Sequence, residues 1–417
     1  MSQTLQLLLL LSLLILITKT AGLISTRLKQ PAVLGELVAG LVMGPTLLNL
    51  LGTPLFTSTQ VHDVVMKLAD LGVILLMFMA GVEVDLTALL RSSHVSVSAG
   101  SLGVVFPLVL GGALAFAFSH SLADSIFIGL ILTATSVSIS AQTLMELGVL
   151  KHREGLAMLG SAVVDDVLVI LLLSIFMVLT GPGGVGGLLL VVLRMVLFFV
   201  IAIPIGLWIL PRLTDRIDRL PISEGVISWA LVVAFLFAFA AEVFGQIAAI
   251  TGAFLAGIFI SRTKLHHKIS EGMHTLSYAF FVPLFLVSIG LQVDARGLDG
   301  PAVVFMLALI LVAVLSKAIG AGFGARLAGM SGVESLRVGV GMISRGEVGL
   351  IVATVGLQEG FIDGSVFTAV VFMVFVTTLV TPFLLRWVFS SNKQTLAGVE
   401  VTKELADGHE LTGTGDR

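Results

Sequence analysis

Two adjacent aspartates, Asp165 and Asp166, lie in the middle of the apolar run Leu156–Leu179. A run of this length is sufficient to cross a lipid bilayer, for which about 20 apolar residues are needed. A charged side chain at the centre of such a helix costs roughly 2.5–3.5 kcal/mol on membrane-insertion scales, and packing alone does not account for two in succession. The pair therefore predicts a cation or proton site inside a membrane.

A single basic residue, Lys317, lies at the centre of another apolar run, LVAVLSKAIGAGF. A buried ammonium group needs an anionic partner, and one aspartate of the pair is the obvious candidate. Because neighbouring residues on a helix point about 100° apart, the two aspartates cannot face one point equally. We expect one of them to pair with Lys317 while the other faces a water-filled cavity.

A third polar segment reads Thr133-Ala-Thr-Ser-Val-Ser-Ile-Ser140 and carries five hydroxyl groups in eight residues. Serine and threonine hydroxyls can satisfy backbone groups where a membrane helix unwinds. The same residue types also form close helix-packing faces, and the segment alone favours neither interpretation over the other.

A fourth segment, residues 339–349, contains four glycines together with Arg345 and Glu347. Each glycine weakens a helix by about 1 kcal/mol relative to alanine, so a break is expected here. On an unbroken helix these two charged residues would point about 200° apart, and a break would let them reach separate partners. The alternative is that each forms a structural ion pair with another helix.

The composition defines the setting in which these residues must be held. The chain of 417 residues is 57% hydrophobic and 12% charged, with a mean hydropathy of +1.11. Soluble domains carry about 25% charged residues, so this is a membrane protein with many spans. The absence of cysteine excludes disulfides, thiolate metal sites and cysteine nucleophiles, and no basic patch with interleaved aromatics indicates nucleic acid.

Apolar runs separated by polar residues predict an all-α fold of thirteen transmembrane helices. Their lengths exceed those of barrel strands and they lack strand alternation. The run Leu5–Ile17 has no basic n-region or cleavage site, so we expect it to remain as the first span. The predicted spans are 3–24, 31–51, 64–83, 95–118, 124–146, 154–180, 185–210, 224–243, 247–262, 276–293, 301–324, 335–358 and 364–389.

Loops rich in lysine and arginine alternate with loops that contain almost none across all thirteen predicted spans, which predicts an outside N-terminus and a cytoplasmic C-terminus. The loops on the outer side contain little beyond Lys67 and Arg296. The rich side carries Arg27, Lys29, Arg91, Lys151, Arg153, Arg212, Arg216, Arg219, Arg262, Lys264, Lys268, Arg326, Arg337, Lys393 and Lys403.

An internal repeat links the two halves of the chain. Residues 30–44 resemble residues 246–260, and residues 76–85 resemble residues 285–294. The matched spans are seven apart, and an odd offset reverses the direction of crossing, as in the inverted repeats of secondary transporters. We expect a transmembrane domain over 1–389, with repeat one at about 1–180, a linker helix at about 185–210 and repeat two at about 224–389. A polar, disordered cytoplasmic tail is expected over 390–417.

The combined motifs resemble the cation:proton antiporter 2 family, most closely its bacterial sodium/proton exchangers. They are QPAVLGELVAGLVMGP, LADLGVILLMFMAGVE, TATSVSISAQTLMELGVL, SAVVDDV, the central lysine and ISRGEVGLIVA. The resemblance implies a homodimer with a dimerisation domain and a core domain that moves as an elevator. It also implies two crossed broken helices, spans five and twelve, in the core, and no cofactor.

The resemblance also assigns roles by position. It implies that Asp166 is the principal cation and proton carboxylate and that Asp165 is the partner of Lys317, with sodium held at the aspartates. The set of two aspartates and a lysine resembles the electrogenic sodium/proton type. The crossover residues implied to help are Thr135 and Ser136 as ion ligands, and Glu347 with Arg345 as the charges of the opposing crossover.

The sequence therefore predicts a secondary antiporter, not an enzyme, that exchanges Na⁺ or Li⁺ for protons in the cell inner membrane and serves pH homeostasis. Its expected partners are monovalent cations, protons, the lipid bilayer and a second copy of the chain. Exchange of K⁺ for protons is the nearest alternative, because hard oxygen ligands suit both ions. An intramembrane aspartyl protease would need two aspartates on separate helices, and a channel is disfavoured by the buried lysine.

Overall fold

The structure is a computed structural model that describes residues 2–56, 59–84, 86–180, 185–294, 296 and 300–410. Within these ranges the side chains of residues 59, 88, 178, 185–187, 347, 358 and 391–410 are not described. The described residues form α-helices, short 3₁₀ and π segments and connecting loops, and they contain no strand. The predicted all-α class is confirmed.

Eighteen α-helices succeed one another in the described part of the chain. They are α1 (Gln3–Arg27), α2 (Ala32–Met43), α3 (Thr59–Glu83), α4 (Leu86–Arg91), α5 (Ser93–Ala117), α6 (Leu122–Thr133), α7 (Val137–Glu146), α8 (Arg153–Thr180), α9 (Val185–Pro204), α10 (Leu210–Ile217), α11 (Gly225–Val243), α12 (Ala249–Ser261), α13 (His266–Leu276), α14 (Val282–Leu291), α15 (Gly300–Leu327), α16 (Gly332–Gly341), α17 (Glu347–Gln358) and α18 (Gly364–Glu410).

Ten helical segments within the described residues are long and apolar enough to cross a bilayer. Three shorter apolar helices, Ala32–Met43, Ala249–Ser261 and Val348–Leu357, fall within the remaining predicted spans 31–51, 247–262 and 335–358. The chain is therefore a helical membrane protein with many spans, while the count of thirteen crossings stays a prediction.

The fifth predicted span is interrupted in its polar centre. Helix α6 ends at Thr133, α7 begins at Val137, and the backbone between them is extended, with φ −60° and ψ 140° at Ala134. The hydroxyl of Thr133 donates to the Leu130 carbonyl oxygen at 2.6 Å, which satisfies one acceptor of the last turn. The hydroxyl-rich segment thus includes a true helix break.

The twelfth predicted span is interrupted as well, and the two breaks touch. Helix α16 ends at Gly341 and α17 begins at Glu347. The Ser136 backbone N–H donates to the Ser344 carbonyl oxygen at 2.9 Å. A Cβ added at Gly346 would lie 2.5 Å from the side chain of Ser136, so only glycine permits this approach. The glycine-rich segment therefore lets two interrupted helices meet at their breaks.

The helices pack in two groups. Helices α5–α8 and α15–α18 contact mainly one another, and α1–α3 with α11–α14 form the second group. Helices α9 and α10, joined by the π segment Ile205–Ile209, continue the predicted linker span beyond residue 210 to Ile217. The Asp165–Asp166 pair lies on α8, in the first group.

Glycines of the repeated motifs make the closest contacts inside the second group. A Cβ added at Gly40 of α2 would lie 2.3 Å from the Val287 carbonyl oxygen and 3.0 Å from Cα of Gly290, on α14. A Cβ added at Gly81 of α3 would lie 3.0 Å from Cα of Gly257, on α12. Both crossings depend on the absence of a side chain.

The last helix continues beyond its membrane segment. The apolar segment of α18 runs over Gly364–Ser390, and the helix itself continues to Glu410. The side chains of residues 391–410 and all of residues 411–417 lie outside the described part. Disorder of the 390–417 tail therefore stays a prediction.

Candidate ion-binding site

An ion pair between Asp165 and Lys317 lies at the centre of the first group of helices. The Lys317 Nζ is 2.5 Å from Asp165 Oδ2, and both side chains are 0% exposed. The pair joins α8 to α15, which are distant in sequence. Removing water from both charges is expensive, so close contact and further hydrogen bonds are needed to keep both ionised.

The break in the fifth span supplies those further hydrogen bonds. Because α6 stops at Thr133, the carbonyl oxygen of Thr133 has no helical N–H partner, and it accepts a bond from Lys317 Nζ at 3.0 Å. The Thr135 hydroxyl, two residues further, donates to Asp165 Oδ2 at 2.6 Å. The unwound segment therefore solvates both members of the ion pair.

The second carboxylate oxygen of Asp165 is oriented differently. Both donors reach Oδ2, and no donor among the described residues reaches the buried Oδ1. A carboxylate has about four lone-pair positions, so Oδ1 retains the capacity to accept a proton or bind a cation.

Asp166 faces another partner. It is 4% exposed, and the Thr251 hydroxyl on α12 donates a hydrogen bond to its Oδ2. The second group of helices thus places a buried hydroxyl directly against the carboxylate. That Asp166 also faces a water-filled cavity stays a prediction.

Ser136 and Arg345 are held within the two breaks. The Ser136 hydroxyl shares a hydrogen bond with the Ser138 hydroxyl at 2.9 Å, and among the described hydrogen bonds none joins it to Asp165 or Asp166. The fully buried Arg345 guanidinium donates to the carbonyl oxygens of Ile343 at 3.1 Å and Ala313 at 3.1 Å. Among the described residues, no carboxylate lies within ion-pair distance of Arg345, and the side chain of Glu347 lies outside them.

Sequence reasoning missed three threonines around this site. Thr251 was missed because only the fold brings α12 next to α8. Thr378 of α18 donates to the Arg345 carbonyl oxygen at 2.6 Å, and the Thr377 hydroxyl accepts from the Arg345 N–H at 3.2 Å. The adjacent pair of threonines in an apolar span was the one available signal, since buried hydroxyls often satisfy an interrupted backbone.

The arrangement combines carboxylates, hydroxyls, free backbone carbonyls and one ammonium group within a buried region. Oxygen ligands of this kind suit hard cations, and the same carboxylates can instead bind protons. A cation and a proton that bind one carboxylate exclude each other. The site therefore has the chemistry needed to couple cation binding to proton release.

A polar cavity of about 370 Å³ lies between the two groups of helices, at one end of α7. Its walls come from α1, α2, α7, α13, α14 and the short π segment Ser277–Phe281 between the last two. The charged and polar side chains that line it are Lys19, Thr26, Glu36, Gln142, Glu146, His274 and Tyr278.

The chain resembles known proteins over nearly its whole length. A family model described as a transmembrane sodium/hydrogen exchanger matches residues 11–391. The Na⁺/H⁺-K⁺ antiporter GerN of Bacillus cereus is 42% identical over 385 residues, which cover 92% of this chain and 97% of that protein. A Na⁺/H⁺ antiporter of Enterococcus hirae is 37% identical over 377 residues, which cover 90% and 96%.

A solved structure shares the fold. The sodium proton antiporter MjNhaP1 from Methanocaldococcus jannaschii has a TM-score of 0.67 at 15% identity, over 92% of this chain and 97% of that one. At this identity the likeness concerns the fold alone, whereas the family match covers most of the sequence. The chain therefore belongs to the sodium/hydrogen exchanger family of transmembrane ion antiporters and is not an enzyme.

Proposed function

We propose that this chain exchanges Na⁺ or Li⁺ for protons, with Asp166 as the carboxylate that both ions use in turn. Asp165 is then the counter-charge of Lys317, and Thr135 is the hydroxyl that supports it. This proposal assigns the antiport function of the family to particular residues. In the proposed exchange the transported ion is the substrate, and no cofactor is needed.

The observation that carries the proposal is the unequal environment of the two aspartates. Asp165 is bound by Lys317 and Thr135 within one group of helices, so its charge is already compensated. Asp166 accepts from Thr251, a neutral hydroxyl that belongs to the other group. A carboxylate that meets a neutral hydroxyl across the boundary between the two groups of helices is the better seat for a mobile cation or proton, because motion of one group against the other changes its contacts.

The exchange of K⁺ for protons is a second candidate, and one observation favours it. The Bacillus cereus relative, 42% identical, is named a Na⁺/H⁺-K⁺ antiporter. Carboxylate, hydroxyl and carbonyl oxygens bind Na⁺ and K⁺ alike, and selectivity follows from cavity size and ligand number. Both ions therefore belong in the transport assay.

We propose further that the exchange is electrogenic, as in the branch of cation:proton antiporters that the sequence resembles. Lys317 is tied to Asp165 by one ion pair and to Thr133 by one carbonyl bond. If cation binding draws Asp165 away from the ammonium group, the lysine loses the partner that keeps it protonated. A second proton is then carried for each cation.

The architecture we propose has thirteen crossings in two inverted repeats. With a one-residue gap after Gln30, the first pair of repeated segments aligns at an offset of 217 residues, which places Gly40 opposite Gly257; Gly81 lies opposite Gly290 at the offset of 209 in the second pair. Gly40 packs on Gly290 and Gly81 packs on Gly257, so the contacts exchange partners as a two-fold axis between the repeats requires. This pattern is not expected of apolar helices that resemble each other by chance.

We propose that the first group of helices is the mobile core of an elevator and that the second group forms the dimer interface. The core holds both breaks and both aspartates, and Asp166 meets the second group through a hydroxyl contact. The basic loops orient the N-terminus outside and the C-terminus in the cytoplasm of the cell inner membrane. In that orientation the polar cavity beside α7 opens toward the cytoplasm.

Purified protein in proteoliposomes tests the proposal. An imposed proton gradient is expected to be dissipated by Na⁺ or Li⁺, with K⁺ compared in turn. Asp166→Asn should abolish exchange, because an amide neither ionises nor binds a proton in this range. Asp218→Asn is the matched control, since Asp218 forms an exposed ion pair with Lys268 at 3.1 Å. Full activity in the Asp166 variant would refute the site assignment.

A further inference from the structure

Thr251 occupies an unusual position for a threonine in an apolar helix. Seven of the ten buried threonines in the described part of the chain donate to a carbonyl oxygen three or four residues earlier, as Thr143 does to Ile139 at 2.8 Å and Thr214 does to Leu210 at 2.8 Å. Thr251 lies in the first turn of α12, where the residue four positions earlier precedes the helix. Its hydroxyl is therefore released from the backbone and instead reaches Asp166, 85 residues away in sequence.

The element that carries Thr251 is held firmly in the second group of helices. A Cβ added at the next residue, Gly252, would lie 2.2 Å from the Phe237 carbonyl oxygen of α11, so the two backbones are in direct contact. Thr251 itself is 3% exposed. The hydroxyl is thus presented to Asp166 from a fixed surface that does not belong to the helices that carry the carboxylates.

We propose that Thr251 sets the preference of Asp166 for the cation over the proton, through a hydroxyl supplied across the boundary between the two groups of helices. This inference rests on the proposed function of Asp166. A hydroxyl has one donor hydrogen and two acceptor lone pairs. While no cation is bound, the donor hydrogen stabilises the charged carboxylate through a charge-assisted hydrogen bond, which is roughly twice as strong as the neutral bond that a protonated carboxyl would accept.

The same hydroxyl can serve the bound cation. When Na⁺ occupies Asp166, a lone pair of Thr251 is available as an oxygen ligand, which hard cations accept. Both effects act in one direction, because each lowers the concentration of Na⁺ needed to displace the proton. A methyl group in place of the hydroxyl would remove both.

Charged groups on neighbouring helices also act on Asp166, beside the hydroxyl of Thr251. Lys317 interacts electrostatically with Asp166 from α15, Arg345 interacts with the neighbouring Asp165, and α12 itself carries no ionisable residue. The ionisable groups on other helices packed against α8 lie within two turns of a helix or span end. They are Arg91, His94, Asp124, Glu146, Arg194, Glu334 and Arg337.

The test compares Thr251→Val, which is isosteric but lacks the hydroxyl, with Thr251→Ser, which keeps it. A hydrogen bond to a charged group is lost in the valine variant, so the apparent KM for Na⁺ at neutral pH should rise about tenfold. The pH of half-maximal exchange should move about one unit to the alkaline side. The maximal rate at high pH and saturating Na⁺ should stay close to wild type, and the serine variant should retain the wild-type profile.

Thr18→Val is the matched control, because Thr18 is equally buried in α1 and its hydroxyl donates to the Leu14 carbonyl oxygen. If Thr251→Val does not fold, the smaller Thr251→Ala carries the same prediction. An unchanged KM and pH profile would overturn the inference, as would a serine variant as impaired as the valine one, which would assign the effect to the methyl group. If wild-type protein shows no cation-dependent exchange, the proposed function itself has failed.

Discussion

The buried ion pair between Lys317 and Asp165 leads to a quantitative prediction about stability. We consider three variants: Lys317→Met, Asp165→Asn, and the two combined. The methionine variant leaves the Asp165 carboxylate with the Thr135 hydroxyl as its one described donor. The asparagine variant leaves the ammonium group with the Thr133 carbonyl oxygen as its described acceptor.

The expected magnitudes follow from the burial of both groups, which are 0% exposed. Removing one partner of a buried ion pair costs about 3–5 kcal/mol, because the other charge is left uncompensated in a medium of low polarity. Replacing both partners by uncharged groups of similar volume is roughly neutral. The two substitutions should therefore be coupled by about 3 kcal/mol or more, with the double variant more stable than Lys317→Met alone.

Unfolding of the detergent-solubilised protein, followed by tryptophan fluorescence, measures this coupling. The surface pair Lys268–Asp218, with side chains 60% and 37% exposed, provides a control cycle. Solvent screening limits an exposed pair to about 1 kcal/mol or less. Unchanged stability of the single variants at the buried pair, or a coupling energy no larger than that of the surface pair, would show that each charge does not depend on its buried partner.

Three further predictions concern transport and packing. Lys317→Ala should make exchange insensitive to an imposed membrane potential in proteoliposomes, and unchanged potential dependence would exclude the lysine as a proton carrier. Gly257→Ala should prevent normal folding, because its Cβ would lie 2.1 Å from a backbone oxygen of α3. Gly300→Ala should behave as wild type in size-exclusion chromatography, because no atom of the described residues lies within 4 Å of a Cβ added there. Glu154→Gln should lower the unfolding midpoint, since it breaks the buried 2.6 Å ion pair with Arg337, a change of about 3 kcal/mol or more. An unchanged midpoint would contradict the last prediction.

Composition and local spacing predicted the elements of the site. The glycines of 339–349 weaken a helix wherever it lies, so a break was expected, and the structure ends α16 at Gly341 and restarts the chain as α17 at Glu347. A lone lysine in an apolar run requires an anion, which restricted its partner to the aspartates. The choice between them follows from which face of α8 points to α15, and sequence alone does not fix that rotation.

The hydroxyl-rich segment shows why its two interpretations could not be separated from the sequence. Thr135 lies in a helix break and donates to Asp165, as an unwound ion site requires. Ser140 donates to the Gly341 carbonyl oxygen at 2.5 Å, which joins two helices closely, as a packing face requires. The segment does both, because the crossing of two breaks needs close packing and free backbone groups at the same place.

Thr251 could not be identified from the sequence because its contact with Asp166 depends on the tertiary structure. Its local sequence, AITGAF, belongs to the repeated motif and looks like a helix start. The partner of its hydroxyl lies on α8, and no local pattern links the two. For the same reason the burial of Asp166 was not foreseen.

A cation and a proton are proposed to compete for Asp166, and cation binding measured as a function of pH detects this competition. Isothermal titration of the purified protein with NaCl should give an apparent Kd that weakens about tenfold for each unit of falling pH, with protons released on binding. Asp166→Asn should show neither binding heat nor proton release. A Kd that does not depend on pH, or unchanged binding by the Asp166 variant, would exclude competition of the cation and the proton at Asp166.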